Sequence, residues 1–513
     1  MVTKTLVKPN AYHDSVTLMT VSSAVDALPG VETASVVMGT ALNLEQLRDS
    51  GLAPTEDVRP NDLVVAVRAA SEDQANAALA EAEARLARRP TGAGAHSEAR
   101  RPRTLCRALE ARPDLNLAAI SVPGSFASIE AEEALRAGLH VFLFSDNVPL
   151  AEEVRLKRLA GEMGLLLMGP DCGTAIVNGV GLGFANVVRR GPIGAIGASG
   201  TGLQQITCLI DWLGGGISQA IGTGGRDLRA EVGGMTMRAA IAALGADEAT
   251  RVLVLVSKPP ADAVARSVLD AAAATGKPTV AVFLGGDPAA DAPPGVTLVR
   301  TLTDAARWAV AATGGNGEAA ATDTIDARQP GRTLDERGPE QRYVRGLFSG
   351  GTLCEEALLL LAERLGPVFS NVPFDPRWAL ADAHQSREHT LVDLGSDELT
   401  IGRPHPMIDP TLRNERIARE SADPTTVCLL LDVVLGYGAH PDPAGALAPV
   451  IQQGRALAEA EGRQLPVVVS LCGTEGDPQR FSRQEAALRE AGALVFGSNA
   501  AAALAVAAIV EGR

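Results

Sequence analysis

The chain has 513 residues, room for several cores at about 150 residues per domain, and 46 Lys and Arg against 61 Asp and Glu give a net charge of −15. That balance argues against a nucleic-acid partner, and an aromatic share of 3 % leaves little material for base-stacking platforms. With 46 % hydrophobic and 21 % charged residues the composition is that of a globular protein, for which small ligands bearing phosphate or carboxylate groups are expected.

In chain order, residues 4–7 and 33–37 read as strands around a helix over 15–27. A strand over 63–67 precedes an alanine-rich helix over 72–86, so residues 1–87 form a small N-terminal α+β module. A Pro-, Gly- and Arg-rich linker over 88–103 follows. Short apolar runs over 117–122, 140–144, 165–168, 193–196, 220–221, 252–256 and 279–283 alternate with helical segments over 131–137, 150–163, 203–212 and 261–274. A βαβα rhythm of this kind indicates parallel sheets covered on both faces. After a second linker over 312–342, the rhythm restarts with strands over 343–347, 426–431 and 467–471 and helices over 353–365 and 446–460. The expected fold class is α/β, with two doubly wound regions behind the small module.

The six cysteines, at 106, 172, 208, 354, 428 and 472, show no CxxC spacing and no nearby histidine pair. Neither a metal site nor a disulfide frame is expected, and a reducing cytoplasm is the simplest location. Residues 1–10 lack an apolar run, and the weakly polar stretch 492–510 is broken by Gly497-Ser498-Asn499, so no signal peptide and no membrane span is expected.

An internal echo carries the clearest chemistry. Gly197-Ala198-Ser199-Gly200-Thr201-Gly202 and Phe348-Ser349-Gly350-Gly351-Thr352 each read as strand, Ser-Gly turn and helix start. Free amides and the positive end of the helix dipole favour an anion there, so Ser199, Gly200, Thr201, Ser349, Gly350, Gly351 and Thr352 are candidate phosphate or acyl-phosphate ligands. Simple helix capping is the alternative use. The turn Gly222-Thr223-Gly224-Gly225-Arg226-Asp227 adds Gly224, Gly225 and a possible clamp, Arg226, unless that side chain sits in a solvated ion pair. Asp171 and Cys172 follow a strand where open α/β sheets gather ligands, and are expected to line the pocket, Cys172 by packing rather than as a nucleophile. Arg403 and His405, in a proline-rich loop over 393–410, are candidates for binding an acidic substrate or moving a proton, with Asp393, Asp397 or Asp409 orienting them.

Taken with Val122-Pro123-Gly124-Ser125-Phe126, Gly169-Pro170-Asp171-Cys172 and Ser470-Leu471-Cys472-Gly473-Thr474-Glu475-Gly476, these motifs resemble, in order, the α subunit and the C-terminal β-subunit domain of succinyl-CoA synthetases. The chain is similar nearly throughout to the FdrA family of that acyl-CoA synthetase superfamily. The resemblance implies a Rossmann-like CoA-binding domain over 104–190, with Pro123 in its pocket. It further implies flavodoxin-like succinyl-CoA-synthetase-type ligase domains over 191–311 (α-subunit-like) and 343–513 (β-subunit-like). In that superfamily two helices point their N-termini at a phosphorylated histidine. Here no Gly-His-Ala-Gly segment follows Phe283-Leu284-Gly285-Gly286-Asp287, Lys258 falls where a supporting glutamate is expected, and no ATP-grasp domain is legible.

The implied function is that of a carbamoyl or acyl transferase subunit, moving a carbamoyl group between oxamate and phosphate in ureide breakdown. Lys258 and Arg226 are then the counter-charges and Arg403 and His405 the oxamate-side residues. An acyl-CoA synthetase subunit borrowing an ATP-grasp partner, and a non-catalytic scaffold, are the alternatives. CoA is the one cofactor in question, and other subunits or a homo-oligomer are the expected partners.

Overall fold

The computed structural model describes all residues except 12, 14, 27, 41, 42, 45, 46, 49, 88–101, 316–337, 339, 401–403 and 513. Most of both expected linkers, and Arg403, therefore lie outside the described residues. The chain divides into two compact units, residues 1–101 with 396–409, and residues 102–395 with 410–513.

The first unit holds β1 (Val2–Lys8), α1 (Ser15–Asp26), β2 (Val31–Met38), β3 (Leu63–Ala69) and α2 (Glu72–Ala87) in an antiparallel sheet of order β1-β3-β2. Residues 63–67 of the middle strand are an unbroken apolar run because both its faces are covered. Val65 and Val67 meet Leu18, Val25 and the Ala75–Ala78–Ala82 stripe of α2, while Val64 and Ala66 meet Leu47 and Leu52.

The second unit opens with α3 (Leu105–Ala111) and a parallel three-stranded sheet of β4 (Leu117–Ile120), β5 (His140–Leu143) and β6 (Leu167–Met168), joined by α4 (Gly124–Arg136) and α5 (Leu150–Glu162). A hairpin, β7 (Thr174–Val177) and β8 (Val180–Gly183), leads into β9 (Arg190–Ala198), α6 (Gly200–Trp212), β10 (Ile217–Gly222), α7 (Met235–Ala246), β11 (Val252–Ser257), α8 (Asp262–Ala274), β12 (Thr279–Phe283), β13 (Val296–Leu298) and α9 (Leu302–Ala312). These strands form a seven-stranded sheet of order β13-β12-β11-β9-β10-β7-β8, parallel except at the hairpin.

The remaining strands, β14 (Tyr343–Phe348), β15 (Phe369–Ser370), β16 (Thr390–Asp393), β17 (Thr426–Val434), β18 (Val467–Cys472) and β19 (Leu494–Phe496), pair in a wholly parallel sheet of order β15-β16-β14-β17-β18-β19. Its helices are α10 (Gly351–Leu365), α12 (Thr411–Ala422), α13 (Pro443–Ala460), α14 (Phe481–Glu490) and α15 (Asn499–Glu511), and the short α11 (Asp397–Thr400) belongs to the first unit. The α/β class with parallel sheets and a small N-terminal module is thus the observed architecture.

The two large sheets share a layer of helices. Every residue of α6 from Thr201 to Ile210 is buried, and α10 is buried from Thr352 to Leu358. A helix segment buried on all sides must be covered by other elements on all sides. Here α6 packs on α9 and α10, and α10 on α15. Polar clamps complete the junction: Asn186 Nδ2 donates to Leu435 O at 3.0 Å and to Asp477 Oδ2 at 2.8 Å, and the Val187 amide donates to Asp477 Oδ1 at 2.7 Å. The Thr474 amide also donates to Asp477 Oδ2, at 2.8 Å. Removing one acceptor that serves three buried donors costs a few kcal/mol. Asp477→Ala is therefore expected to lower unfolding stability by about 2–4 kcal/mol, read by chemical denaturation; a loss below about 0.5 kcal/mol, the ordinary surface value, contradicts the clamp.

Candidate functional site

Parallel strands end at Ala198 and Ser257 in one sheet and at Phe348 and Asp393 in the other, and the turns beyond them meet. Ser199 is the N-cap of α6: its Oγ accepts from the Gly202 amide at 2.9 Å and shares a 2.5 Å hydrogen bond with Thr352 Oγ1, in the first turn of α10. A Cβ added at Gly350 would lie 2.8 Å from Thr201 Cγ2, so the turns approach at a distance that only glycine permits. Two helix N-termini therefore abut, as the echo in the sequence suggested.

Lys258, one residue past β11, reaches this junction. Its Nζ lies 3.2 Å from Glu355 Oε1, and its side chain keeps about a third of its surface exposed. Gly351 is closed over by polar groups, since a Cβ there would lie 2.5 Å from Asp393 Oδ2 and 3.0 Å from Lys258 Nζ. Burial pushes the Lys258 ammonium down, but Glu355 and Asp393 outweigh it and hold its pKa above the ordinary value, with Asp171 adding to the pull. Burial raises Glu355, with Lys258 opposing. Burial also raises Asp393 from 3.8 to about 6, against the pull of Lys258 and of the Gly395 amide that donates to it.

Other expected residues are engaged elsewhere. The amides of Ser349 and Gly350 each donate to Asp432 at 2.7 Å, and Arg413 pairs with the same carboxylate at 3.1 Å. Those two amides, expected to hold phosphate, thus already hold an internal anion; Gly351 and Thr352 carry the next two. Arg226 does not face the junction: Nε donates to Glu153 at 2.9 Å and a terminal nitrogen to Val148 O at 2.7 Å. It belongs to a buried network in which Lys157 joins Glu153 and Asp227 at 3.1 Å and 2.7 Å, because two carboxylates there require cations. Gly224 stays close to Pro170, and Gly225 to the Asp171 carboxylate, 3.3 Å from where a Cβ would stand.

Cys172 is buried and donates to Thr174 O, and burial pushes its thiol up to about 12, so it packs and is no nucleophile. His405 lies in the segment that groups with the N-terminal module, where its Nδ1 accepts from the Met407 amide at 3.2 Å. Burial lowers it to about 4, so it is neutral at pH 7 and carries no proton to donate as a cation. His140, His389 and His440 likewise accept from backbone amides.

The sequence does not single out Glu355 or Asp432, and it places Asp393 in a loop as an orienting group. The signal for Glu355 is an acidic pair, Glu355-Glu356, within the otherwise apolar stretch 353–362 of α10. Glu356 is the structural half, accepting from the Leu302 amide and from Asn499 Nδ2, each at 2.8 Å.

A CoA-ligase family profile matches residues 347–509, a CoA-binding-domain profile residues 189–285, and the profile "AllF, heavy metal-associated domain" residues 1–102. The uncharacterized protein YahF of Escherichia coli is 43 % identical over 97 % of both chains. The α subunit 2 of an ADP-forming succinate–CoA ligase from Archaeoglobus fulgidus is 32 % identical over 22 % of this chain and 40 % of its own length. Among solved structures, the dinucleotide-forming acetyl-coenzyme A synthetase 1 of Ca. Korarchaeum cryptofilum aligns over 77 % of this chain and 82 % of its own, at 15 % identity and a TM-score of 0.32. The donor set of residues 1–102 does not suit a soft heavy metal: the first cysteine is Cys106, and no cluster of three potential ligands occurs among the described residues.

The raised carboxyl of Asp393 carries a stability consequence. The folded chain holds this proton more tightly than the unfolded one, so the contribution is complete below about pH 4 and is lost as pH rises to about 6. The effect is on the order of 3 kcal/mol. Asp393→Asn lacks it, and its melting temperature relative to the native chain is expected to climb between pH 4 and pH 7; a difference constant across that range refutes the assignment.

Proposed function

This chain belongs to the family that includes YahF, and from that premise we propose that it is an acyl-CoA-synthetase-type transferase subunit that handles an acyl phosphate where its two helix N-termini meet. The observation that carries the reading is the Ser199–Thr352 contact at 2.5 Å with Lys258 beside it. Helix ends favour a phosphoryl oxyanion, and an ammonium next to them compensates charge as the acyl–oxygen bond breaks. The acyl group leaves one phosphate oxygen for an acceptor, and the electron pair of the broken bond stays on phosphate. A cavity of about 790 Å³ begins one residue beyond Lys258, lined by Pro259, Pro260, Phe283 and Leu284 among others, and suits the acyl portion.

When bound, CoA supplies a thiol as that acceptor. The residues at the start of α4 fit such a group. Its cap, Pro123, makes no side-chain bond, and Val122, Phe126 and Ile129 beside it stay 37 %, 59 % and 66 % exposed, offering amides to a diphosphate and an apolar face to a base. The superfamily relatives named as subunits support a partner chain for this one too, a second subunit or a second copy.

A carbamoyl transfer between an oxamate-like acid and phosphate is the second reading, implied by the FdrA resemblance. One observation favours it: no histidine occurs between His140 and His384, so the loop after β12 carries no phosphorylatable histidine. Direct exchange with phosphate needs none. The AllF-type match over residues 1–102 is a further point in its favour.

The test is a thermal shift of the full chain with phosphate, carbamoyl phosphate, acetyl phosphate and CoA. A ligand that binds only the folded chain stabilises it by about 2.7 kcal/mol at a hundred times its Kd. Phosphate or an acyl phosphate should raise the melting temperature, and Lys258→Met should abolish the rise. Stabilisation by CoA favours the CoA-dependent reaction, stabilisation by carbamoyl phosphate without CoA favours the second reading, and no shift with any of the four sinks both.

A further inference from the structure

The charges around the junction define what the bound anion must bring with it. Each helix end contributes roughly half a positive charge, and Lys258 adds one. Against these stand Glu355, which touches the ammonium, and Asp393, which closes over Gly351 from the next strand. The Asp432 carboxylate on β17 pairs with Arg413 on α12, takes up the Ser349 and Gly350 amides of the α10 end, and adds negative potential at Asp393, so it brings no positive charge to the sum. Asp171, after β6, adds negative potential at Lys258, and Cys354 beside Glu355 is a buried, neutral thiol. The junction is thus already close to neutral with both carboxyls ionised. A phosphoryl or other dianion entering it would leave two uncompensated negative charges in a largely buried place, at high cost.

One buried atom points to the resolution. Glu355 is 7 % exposed; its Oε1 faces Lys258, while Oε2 is fully buried and has no hydrogen-bond partner. An ionised carboxylate with one oxygen desolvated and unserved is unfavourable, whereas a carboxylic acid there holds an O–H with no acceptor until a ligand oxygen arrives. Two carboxyls bracketing one ammonium titrate as a pair, and the proton belongs to both.

We propose that an oxyanion binds between the two helix ends together with a proton taken up by the Glu355–Asp393 pair, so that Glu355 donates its O–H to the anion. The inference rests on the reading that the junction holds a phosphoryl-type anion. It makes Glu355 a ligand-touching, specificity-determining residue. A protonated pair accepts a dianion, and an ionised pair repels it. The site then binds oxyanions better as pH falls, and in the transfer reaction the same proton sits next to the oxygen on which charge develops.

Calorimetry with inorganic sulfate tests this on the full chain, because sulfate stays a dianion across pH 5.5–7.5 and any proton uptake must come from the protein. Titration in buffers of different ionisation enthalpy is expected to show close to one proton taken up per sulfate near pH 7. Affinity should fall roughly tenfold per pH unit above about pH 6. Glu355→Gln removes a charge and keeps a donor, so at pH 7.5 it should bind sulfate roughly tenfold or more tighter than the native chain, with proton uptake lost; Asp393→Asn should change both readouts in the same direction. A purely structural glutamate would yield no gain in affinity. Sulfate and phosphate binding with no proton uptake, or with an unaltered pH slope in both variants, overturns the proposal and leaves the proposed function standing. Failure of both anions to bind at any pH removes both.

Discussion

Two helix N-termini that touch present like partial charges to each other, and the arrangement persists only if negative groups are placed around it. Much of the polar chemistry in the second unit answers that requirement. Asp432 is set on a central strand so that its carboxylate takes the Ser349 and Gly350 amides, with Arg413 balancing its charge. Ser199 and Thr352 spend their hydroxyls on one another across the gap. Asp393 and Glu355 approach from a neighbouring strand and from the second turn of α10, and Lys258 returns a positive charge between them. Internal anions thus take over part of what a bare helix end would offer to a ligand, and Gly351, Thr352 and the Ser199–Thr201 turn are the portion left near Lys258.

The contact also dictates the architecture behind it. Helix ends can meet at this distance only if the helices run in a common layer, and a helix in that layer has a sheet or another helix on every side. This is why α6 from Thr201 to Ile210 and α10 from Thr352 to Leu358 are buried around their whole circumference. It is also why polar anchors such as Glu356 and Asn499 sit inside the layer: each satisfies a neighbouring element's donor or carbonyl, binding α9, α10 and α15 together. Compatibility of the two sheets is enforced at the rim by Asp477 and Asn186, which join the loop before β9 to the loop after β18.

The α/β rhythm and the twin Ser-Gly turns were legible because both are local signals: short apolar runs with helical spacing between them, and glycines where a strand gives way to a helix. Short strands were harder. β15, β16 and β19 have two to four residues each, and β16 runs directly into a polar, proline-rich stretch, so Asp393 read as loop when it terminates a parallel strand. The engagement of Arg226 by Glu153 and of the Ser349 turn by Asp432 could not be read from spacing, since the partners lie 73 and 83 positions away in sequence. A charged residue beside a glycine turn looks the same in sequence whether it faces a ligand or a buried carboxylate; only the fold decides.

Lys258 is the position where sequence and structure reinforce each other most directly. It follows a strand of six buried residues, Val252–Ser257, so it is the first side chain free to turn into the space beyond the sheet edge. The two prolines after it, Pro259 and Pro260, restrict the backbone that leaves the strand and start the wall of the large cavity. A lysine so held between two carboxyls and two helix ends compensates charge at one fixed place without any mobile ion. A bound anion then meets a field whose sign depends on a single shared proton, which links the choice of ligand, the cost of burying it and the direction of group transfer to the same few atoms.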